Sequence, residues 1–352
     1  MNSLFLVVAS ILSVPLIAPQ ISVSAELKAD SPTTKKVLHV HLSFDYEYLS
    51  PGGGGKRNEG TVWVNEPKPG SLPTGMTHHT YFSKSMGHDV GYCIYLPPGY
   101  DREENRRYPV IYDLHGNGGN ELHGQLSAEV LQEGILAGKW PPMIMVMPNG
   151  GEYTHYQDSF DGKYMAETTI IRELIPHIDA TYRTIARREG RCIEGFSMGG
   201  KGSISLMVKY PEMFCSLFDQ AGNIFHVSEL WNPNEPDVYP YNHLGPDKQN
   251  SIDNDPYLLL QKNLDKIKGK MRIQIFCGTQ DVKHLATIRE FHATLQNAEI
   301  DHTYMEIEGI AHDLDAMIQR YRGSWFDYHV ESLRRSGALP RPGAEADGGR
   351  QR

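Results

Sequence analysis

The sequence lacks several features that mark nucleic-acid, zinc or disulfide-rich proteins. It has no dense basic stretch, and its formal net charge of -9 argues against a partner with a phosphate backbone. No C-x-x-C pair occurs, so neither a zinc knuckle nor a disulfide framework is indicated. Four widely separated cysteines lie in or beside apolar runs, and we expect buried free thiols at Cys93, Cys192, Cys215 and Cys277.

Charged side chains are also missing from residues 1–25, which contain no Asp, Glu, Lys or Arg. The apolar core of this segment is too short and too interrupted by proline for a membrane span, and small residues precede a cleavage point after Ala25. We predict a secretory signal and a secreted or periplasmic protein. A buried N-terminal helix or a retained anchor would explain the same pattern. No other segment is apolar for long enough to span a bilayer, so no span is expected in the mature protein.

From residue 108 onward, short apolar runs alternate with longer helical patterns, which is typical of βα units around a largely parallel sheet. The predicted strands are 108–114, 143–148, 191–196, 216–221, 272–277 and 302–307. The predicted helices are 121–139, 166–182, 199–210, 284–298 and 314–335. Upstream, residues 79–100 resemble an antiparallel hairpin that ends at Pro97-Pro98-Gly99 and opens the sheet at one edge.

The chain ends differ from this pattern. Residues 26–77 contain one strand-like run, "KVLHVHLSF", between linker-like stretches, and we interpret them as an N-terminal extension. Residues 78–335 form the α/β domain, and the Pro-, Gly- and charge-rich residues 336–352 form a predicted disordered tail.

The segment "RCIEGFSMGG" places Ser197 between Gly195 and Gly199, after a predicted strand and before a predicted helix. A nucleophile elbow needs small residues at these two positions, because the sharp strand-to-helix turn brings helix and strand close together. A serine in an ordinary glycine turn is the alternative. The context favours a nucleophilic serine.

A nucleophilic serine needs a base and an acid, which follow it in the order acid, then histidine, in this type of fold. Asp281 and His312 each follow a predicted strand, so both loops open on the same sheet edge as the elbow. A helix-cap role would also explain Asp281. The rival acid is Asp219, whose position within a strand suits a structural hydrogen bond better. The rival bases are His226 and His284.

The loop "LHGNGG" follows the strand at 108–114 and is typical of loops that supply an oxyanion-hole donor. The predicted donors are the backbone N–H groups of Met198 and Asn117. A plain glycine turn is the alternative. Glu194, one residue before the elbow glycine, needs a polar or charged neighbour if it is buried.

Several spaced motifs carry a family resemblance over residues 78–330: "YLPPGYD", "YPVIYDLHGNGGN", "ELIPHIDATYRT", "GFSMGGKGS", "FCGTQDV" and "GIAHD". They resemble the putative-esterase family of α/β-hydrolases, which includes esterase D, feruloyl esterases and bacterial mycolyltransferases. The resemblance implies one α/β-hydrolase domain with a mostly parallel central sheet, a triad of Ser197, Asp281 and His312, and no cofactor or metal. The chain departs from the commonest family pattern at Lys201, where an aromatic or small residue is usual, and in the long extension before residue 78. These departures concern the identity of the substrate and not the chemistry.

Aromatic residues in the loops at this edge are candidates for binding an aromatic acyl group or a sugar face, although they would equally pack the loops together. The candidate substrate residues are His115, Tyr153, Tyr156, Trp231 and Tyr239. The leading hypothesis is an exported serine esterase for a small-molecule or carbohydrate ester, such as a feruloyl ester. Acyl transfer to a sugar hydroxyl and a non-catalytic binding module are the alternatives.

Overall fold

The computed structural model describes residues 58, 60–231 and 242–341, together with the backbone of two strands near the N-terminus. Those strands, β1 (Ser22–Lys28) and β2 (Val37–Ser43), pair antiparallel as a two-stranded sheet. They belong to a unit of residues 1–53, and a second unit comprises residues 54–352. The run "KVLHVHLSF" is thus a strand over Val37–Ser43, as its pattern suggested. Residues 342–352 of the predicted tail lie outside the described part of the chain.

The second unit is built on an eight-stranded sheet with the order β10-β9-β8-β7-β5-β6-β4-β3. Neighbours are parallel from β10 to β6, whereas β4 runs antiparallel to both β6 and β3. The strands are β3 (Met76–Ser83), β4 (His88–Tyr95), β5 (Val110–Leu114), β6 (Ile144–Pro148), β7 (Arg191–Phe196), β8 (Ser216–Gln220), β9 (Arg272–Gly278) and β10 (His302–Ile307). The predicted strands and edge hairpin are confirmed.

The central strands are apolar on both faces because helices cover the sheet on both sides. Every residue of β5, β6 and β8 is buried. The helices are α1 (Gln125–Leu136), α2 (Ala166–Thr168), α3 (Ile175–Thr181), α4 (Met198–Lys209), α5 (Val227–Leu230), α6 (Lys248–Ile252), α7 (Pro256–Lys262), α8 (Leu264–Ile267), α9 (Val282–Asn297), α10 (Leu314–Tyr321) and α11 (Asp327–Ser336). A π-helical segment, Thr169–Leu174, joins α2 to α3. This architecture is the α/β-hydrolase fold.

Two helix predictions need correction. The single helix predicted over 314–335 is two helices, α10 and α11, because the chain breaks at residues 322–326 to bury Trp325 and Phe326 in the core. Between β8 and β9, where no helix is predicted, the described residues form α5 to α8. Asp255 caps α7 through its carboxylate, which accepts the backbone N–H of Tyr257 at 2.9 Å, and Pro256 occupies the first helical position.

Residues 60–75 of the predicted N-terminal extension belong to the second unit and contact the rest of it through one buried carboxylate. Glu121 is fully buried and accepts the backbone N–H of Asn65 at 2.6 Å and its side-chain amide at 2.9 Å. The amide of Asn149 at 2.8 Å and Nε2 of His78 at 3.2 Å complete its partners. The two Glu121 oxygens therefore face four nitrogens and tie this segment to the sheet.

All four cysteines are buried and unpaired, as expected. Among the described residues, no helix combines the length and the apolar character needed to cross a lipid bilayer.

Candidate active site

The turn between β7 and α4 holds Ser197 in a strained conformation. Its φ of 57° and ψ of -115° lie where side chains are disfavoured, at a cost of about 1–3 kcal/mol. The backbone N–H of Ser197 donates to Gln220 O at 2.9 Å on β8, which holds the turn in place. A Cβ on Gly195 would lie 2.5 Å from the carbonyl carbon of Gly199, so the close crossing of strand and helix requires glycine. The local geometry is that of a nucleophile elbow.

The loops after β9 and β10 bring Asp281 and His312 to this turn. His312 Nε2 lies 2.9 Å from Ser197 Oγ, and His312 Nδ1 lies 2.5 Å from Asp281 Oδ2. A carboxylate only accepts hydrogen bonds, so Nδ1 of His312 carries the proton and Nε2 is free to accept the serine hydroxyl. The three residues form one continuous chain of hydrogen bonds.

The Asp281 carboxyl is ionised, as its place at the end of this chain of hydrogen bonds requires. Its carboxylate is buried, which by itself raises the pKa, but hydrogen bonds from His284 and His312 outweigh burial and hold the pKa of Asp281 well below its usual range. Asp281 is therefore ionised at any working pH. It can stabilise a positive charge on His312.

The rival acid and base have other partners. Burial raises the pKa of Asp219 to about 8, against the effect of its hydrogen bond from Gly222 N–H at 2.9 Å, so this carboxyl fixes a turn. His226 stacks on Tyr257 with ring centroids 3.7 Å apart and lies 3.3 Å from Glu290. Neither residue contacts Ser197 in a described hydrogen bond.

The glycine loop after β5 passes directly beside the serine. A Cβ on Gly116 would lie 3.4 Å from Ser197 Cβ, and Gly118 N–H donates to Glu152 O at 2.8 Å. Met198 N–H belongs to the first turn of α4, whose N–H groups have no partner within the helix. Both predicted oxyanion donors thus lie on segments that border Ser197, and their role stays a prediction.

His115 holds this loop in place and is not open to a substrate. Its side chain is 1% exposed, its Nδ1 lies 2.9 Å from Gly116 O, and its Nε2 accepts Gly150 N–H at 3.0 Å. Tyr156 is also fully buried, and its hydroxyl donates to His115 O at 2.9 Å. Both side chains connect the loops after β5 and β6, so neither offers a free polar atom to a ligand.

The other candidate substrate residues differ in position. Tyr153 is half-buried, and its hydroxyl would lie 3.3 Å from a Cβ on Gly118, next to the oxyanion loop. Trp231 is half-buried and donates through Nε1 to Pro246 O at 3.2 Å. Tyr239 lies outside the described residues. Tyr153 thus lies beside the predicted oxyanion loop, and its contact with a substrate stays a prediction.

Two side chains that contact His312 or its acid were not among the site residues predicted from the sequence. Phe196, which precedes the serine, stacks on the His312 ring with centroids 4.4 Å apart. His284, considered only as a rival base, instead shares the acid: its Nδ1 lies 2.6 Å from Asp281 Oδ1. Its position three residues after an acid that starts a helix is the signal that would have suggested this contact.

The partner expected for Glu194 is His329, whose Nε2 lies 3.0 Å from the Glu194 carboxyl. His329 Nδ1 lies in turn 2.8 Å from Ser216 Oγ, and all three side chains are buried. Burial raises the pKa of Glu194 well above its usual range and lowers the pKa of His329 to about 3. Glu194 is thus a neutral acid beneath the elbow.

One cluster of side chains has the composition of a metal site. The atoms of Asp281, His284 and His312 that could bind a metal ion lie within 4.8 Å of one another. However, the two N···O separations of 2.5 and 2.6 Å are hydrogen-bond distances. Ligands about 2.0–2.1 Å from a tetrahedral zinc ion stand roughly 3.3 Å apart. The geometry is that of a hydrogen-bonded cluster.

Fold and site together define an α/β-hydrolase fold in which Ser197, His312 and Asp281 are linked by hydrogen bonds at the carboxyl edge of the sheet. Residues 83–325 match the family model described as "Putative esterase", and the chain belongs to that family. Esterase Rv1288 of Mycobacterium tuberculosis is 29% identical over 293 residues, which cover 70% of this chain and 59% of the relative. The chain thus spans about three fifths of that relative's length.

Other similar proteins are named as feruloyl esterases or as an S-formylglutathione hydrolase. The endo-1,4-beta-xylanase/feruloyl esterase of Xylanibacter ruminicola is 34% identical over 163 residues, which cover 44% of this chain and 22% of that protein. A solved ferulic acid esterase superposes with a TM-score of 0.60 at 22% identity, over 74% of this chain and 98% of its own. The S-formylglutathione hydrolase of Agrobacterium tumefaciens superposes with a TM-score of 0.56 at 19% identity, over 73% and 95%. These superpositions support the fold.

Proposed function

We propose that this protein is a serine esterase that cleaves carboxylic esters through an acyl-enzyme intermediate. The hydrogen-bond chain from Ser197 Oγ through His312 to Asp281, starting at a strained elbow, is the observation that carries the proposal. A non-catalytic binding module would have no need for this strain or for a buried ionised acid behind an exposed histidine.

In the first step, Ser197 Oγ attacks the ester carbonyl while its proton passes to His312 Nε2, 2.9 Å away. The resulting imidazolium is stabilised by the ionised Asp281 at Nδ1. The carbonyl oxygen becomes an oxyanion, which accepts hydrogen bonds from the backbone N–H groups of Met198 and Asn117. One donor of this kind contributes about a hundredfold or more to the rate.

In the second step, His312 gives its proton to the leaving alcohol, and the C–O bond to that alcohol breaks. A water molecule then loses a proton to His312 and attacks the acyl carbon. The bond between that carbon and Ser197 Oγ breaks as His312 returns the proton to Oγ, which releases the acid and restores the serine hydroxyl. This chemistry uses the chain's own side chains and backbone throughout.

We propose feruloyl or other carbohydrate esters as the substrate class. The feruloyl esterase names among the relatives support this choice. Tyr153 supports it as well, because its ring lies beside the oxyanion loop, where an aromatic acyl group would extend from Ser197.

The test is a hydrolysis panel of methyl ferulate, acetylated xylan and p-nitrophenyl esters of increasing chain length. Ser197→Ala should lower kcat by about a millionfold, as expected for loss of a triad serine. Ser332→Ala removes a buried helix hydroxyl that donates to Tyr328 O within its own helix, and should leave kcat within about threefold. Activity of Ser197→Ala within tenfold of wild type would refute the assignment. Cleavage of short alkyl esters alone would remove the feruloyl proposal.

Hydrolysis and acyl transfer use the same residues and differ in what attacks the acyl-enzyme. We expect free acid as the product when a sugar acceptor is present in excess. A predominant acylated sugar would instead establish transfer.

Export is proposed on the pattern of residues 1–25 alone. Expression of the full chain in a bacterial host should yield a mature protein outside the cytoplasm that begins at Glu26. An uncleaved cytoplasmic product would contradict this proposal without affecting the catalytic one.

A further inference from the structure

Asp281 has two imidazole partners, one on each carboxylate oxygen. His312 Nδ1 contacts Oδ2 at 2.5 Å, and His284 Nδ1 contacts Oδ1 at 2.6 Å. The Asp281 side chain is 3% exposed and that of His284 is 15% exposed, so water hardly competes for these bonds. A serine–histidine–aspartate relay requires only the first contact. The second contact is the additional feature.

The position of His284 is fixed by its backbone. Asp281 immediately precedes α9 and His284 lies in its first turn, three residues later, which places both side chains on the same side of the helix start. Thr287 Oγ also donates to the carbonyl of His284 at 3.0 Å. The ring therefore presents its donor to Asp281 from a rigid element.

The His284 ring also stacks on the base itself. The centroids of His284 and His312 are 4.0 Å apart, and their planes differ by 9°. Phe196 contacts the same His312 ring at 4.4 Å and 28°. These contacts restrict rotation of the imidazole whose Nε2 must face Ser197 Oγ. A stacked ring suits this role only if it is uncharged, because His312 itself becomes positive during the reaction.

His284 meets that requirement. Burial, together with the charges of His312 and Lys283, lowers the pKa of His284, although the bond to Asp281 acts in the opposite direction. A neutral ring that donates at Nδ1 leaves Nε2 unprotonated. His284 thus supplies an N–H donor without adding a charge next to the base.

We infer that His284 is a positioning residue for the proposed ester hydrolysis: its Nδ1–H fixes the Asp281 carboxylate, and its ring holds His312 in line with Ser197. This inference rests on the proposed function. His284 acts on the reaction through Asp281 and His312 and does not touch the substrate, so its removal affects the chemical step and leaves substrate binding unchanged.

Two substitutions separate its two contacts. His284→Asn keeps a side-chain N–H donor near the position of Nδ1 and removes the ring, whereas His284→Phe keeps a ring and removes the donor. On a p-nitrophenyl ester, we expect His284→Phe to lower kcat by about ten- to a hundredfold, with KM within twofold of wild type. We expect His284→Asn to recover part of that loss, because it restores the donor to Asp281 but not the ring stacked on His312.

The matched control is His292→Phe, because His292 lies on the same helix and stacks on Tyr304 at 4.0 Å without touching the site acid. It should keep wild-type kcat. Equal losses for His284→Phe and His284→Asn, or wild-type kcat in His284→Phe, would overturn the donor role.

Proton NMR tests the inference without turnover. Wild-type protein should show two strongly downfield N–H protons bonded to Asp281, and one should be absent from His284→Asn while the control His292→Phe retains both. A single such proton in the wild type overturns the inference, even if His284→Phe does not fold. Two such protons in a wild-type protein that cleaves no ester would instead refute the proposed function alone.

Discussion

The buried ring of His115 should make the stability of this protein sensitive to acid. Burial lowers the pKa of His115 to about 3, and the hydrogen bond to Gly116 O opposes this shift only in part. A proton on Nε2 would place two N–H donors face to face, because that nitrogen already accepts Gly150 N–H at 3.0 Å. The folded state therefore excludes the proton.

The unfolded chain does not exclude it, since its histidine has the ordinary pKa of 6.5. Below pH 6.5 the unfolded state binds one more proton at this residue than the folded state, so stability falls as the pH decreases toward 3. At pH 5 the ring is neutral in the fold and charged in the unfolded chain, a difference of about 2 kcal/mol. At pH 7 the same contribution is near zero.

His115→Gln provides the assay, because a glutamine oxygen can still accept Gly150 N–H but cannot be protonated. We expect this variant to be about 1–3 kcal/mol less stable than wild type at pH 7, through loss of the bond to Gly116 O. At pH 5 the difference in the free energy of unfolding between wild type and His115→Gln should be smaller by about 2 kcal/mol. Urea unfolding at both pH values measures it, with partly exposed His88→Gln as control. An equal gap at both pH values would refute this reasoning.

Two further predictions concern packing and buried charge. Gly195→Ala would force a Cβ against backbone atoms of Gly199 and Leu114 at 2.5 to 2.8 Å, so we expect at least 1–3 kcal/mol of destabilisation and about a hundredfold loss of kcat. A Cβ on Gly323 would meet open space, so Gly323→Ala should change neither the stability nor kcat. Glu194→Gln should cost less than about 1 kcal/mol, because a neutral acid is replaced by a neutral amide that can also donate to His329. Glu121→Gln should lower the free energy of unfolding, measured with urea, by about 2–4 kcal/mol, because the new amide nitrogen would face N–H donors in either orientation. Equal losses of stability in Glu194→Gln and Glu121→Gln would contradict this contrast.

The sequence was sufficient to predict the sheet and the elbow, since both depend on local patterns. Strands β7 and β10 begin and end at the predicted residues, because short apolar runs bounded by loops have few other interpretations. Ser197, Asp281 and His312 were nominated from loops that parallel strands must bring to one edge. The distances that link them come only from the fold.

Other features depend on contacts between distant segments, which no local pattern encodes. Nothing in the loop "LHGNGG" indicates that both His115 nitrogens are engaged by backbone groups, one of them on Gly150. The interruption between α10 and α11 likewise depends on burial of Trp325 and Phe326, which overrides a continuous helical period. Shared use of Asp281 by His284 and His312 required the orientation of both rings.

The strained backbone of Ser197 also bears on how such a protein evolves. Glycine adopts a positive φ without the steric cost that a Cβ adds, so Ser197→Gly would relieve about 1–3 kcal/mol of strain while removing the hydroxyl. The greater conformational entropy of glycine in the unfolded chain offsets about 0.5–1 kcal/mol of this gain. Selection for stability alone would then favour losing the reactive group. A lineage that keeps serine at this turn does so against its own folding free energy, and its inactive descendants should be the more stable proteins.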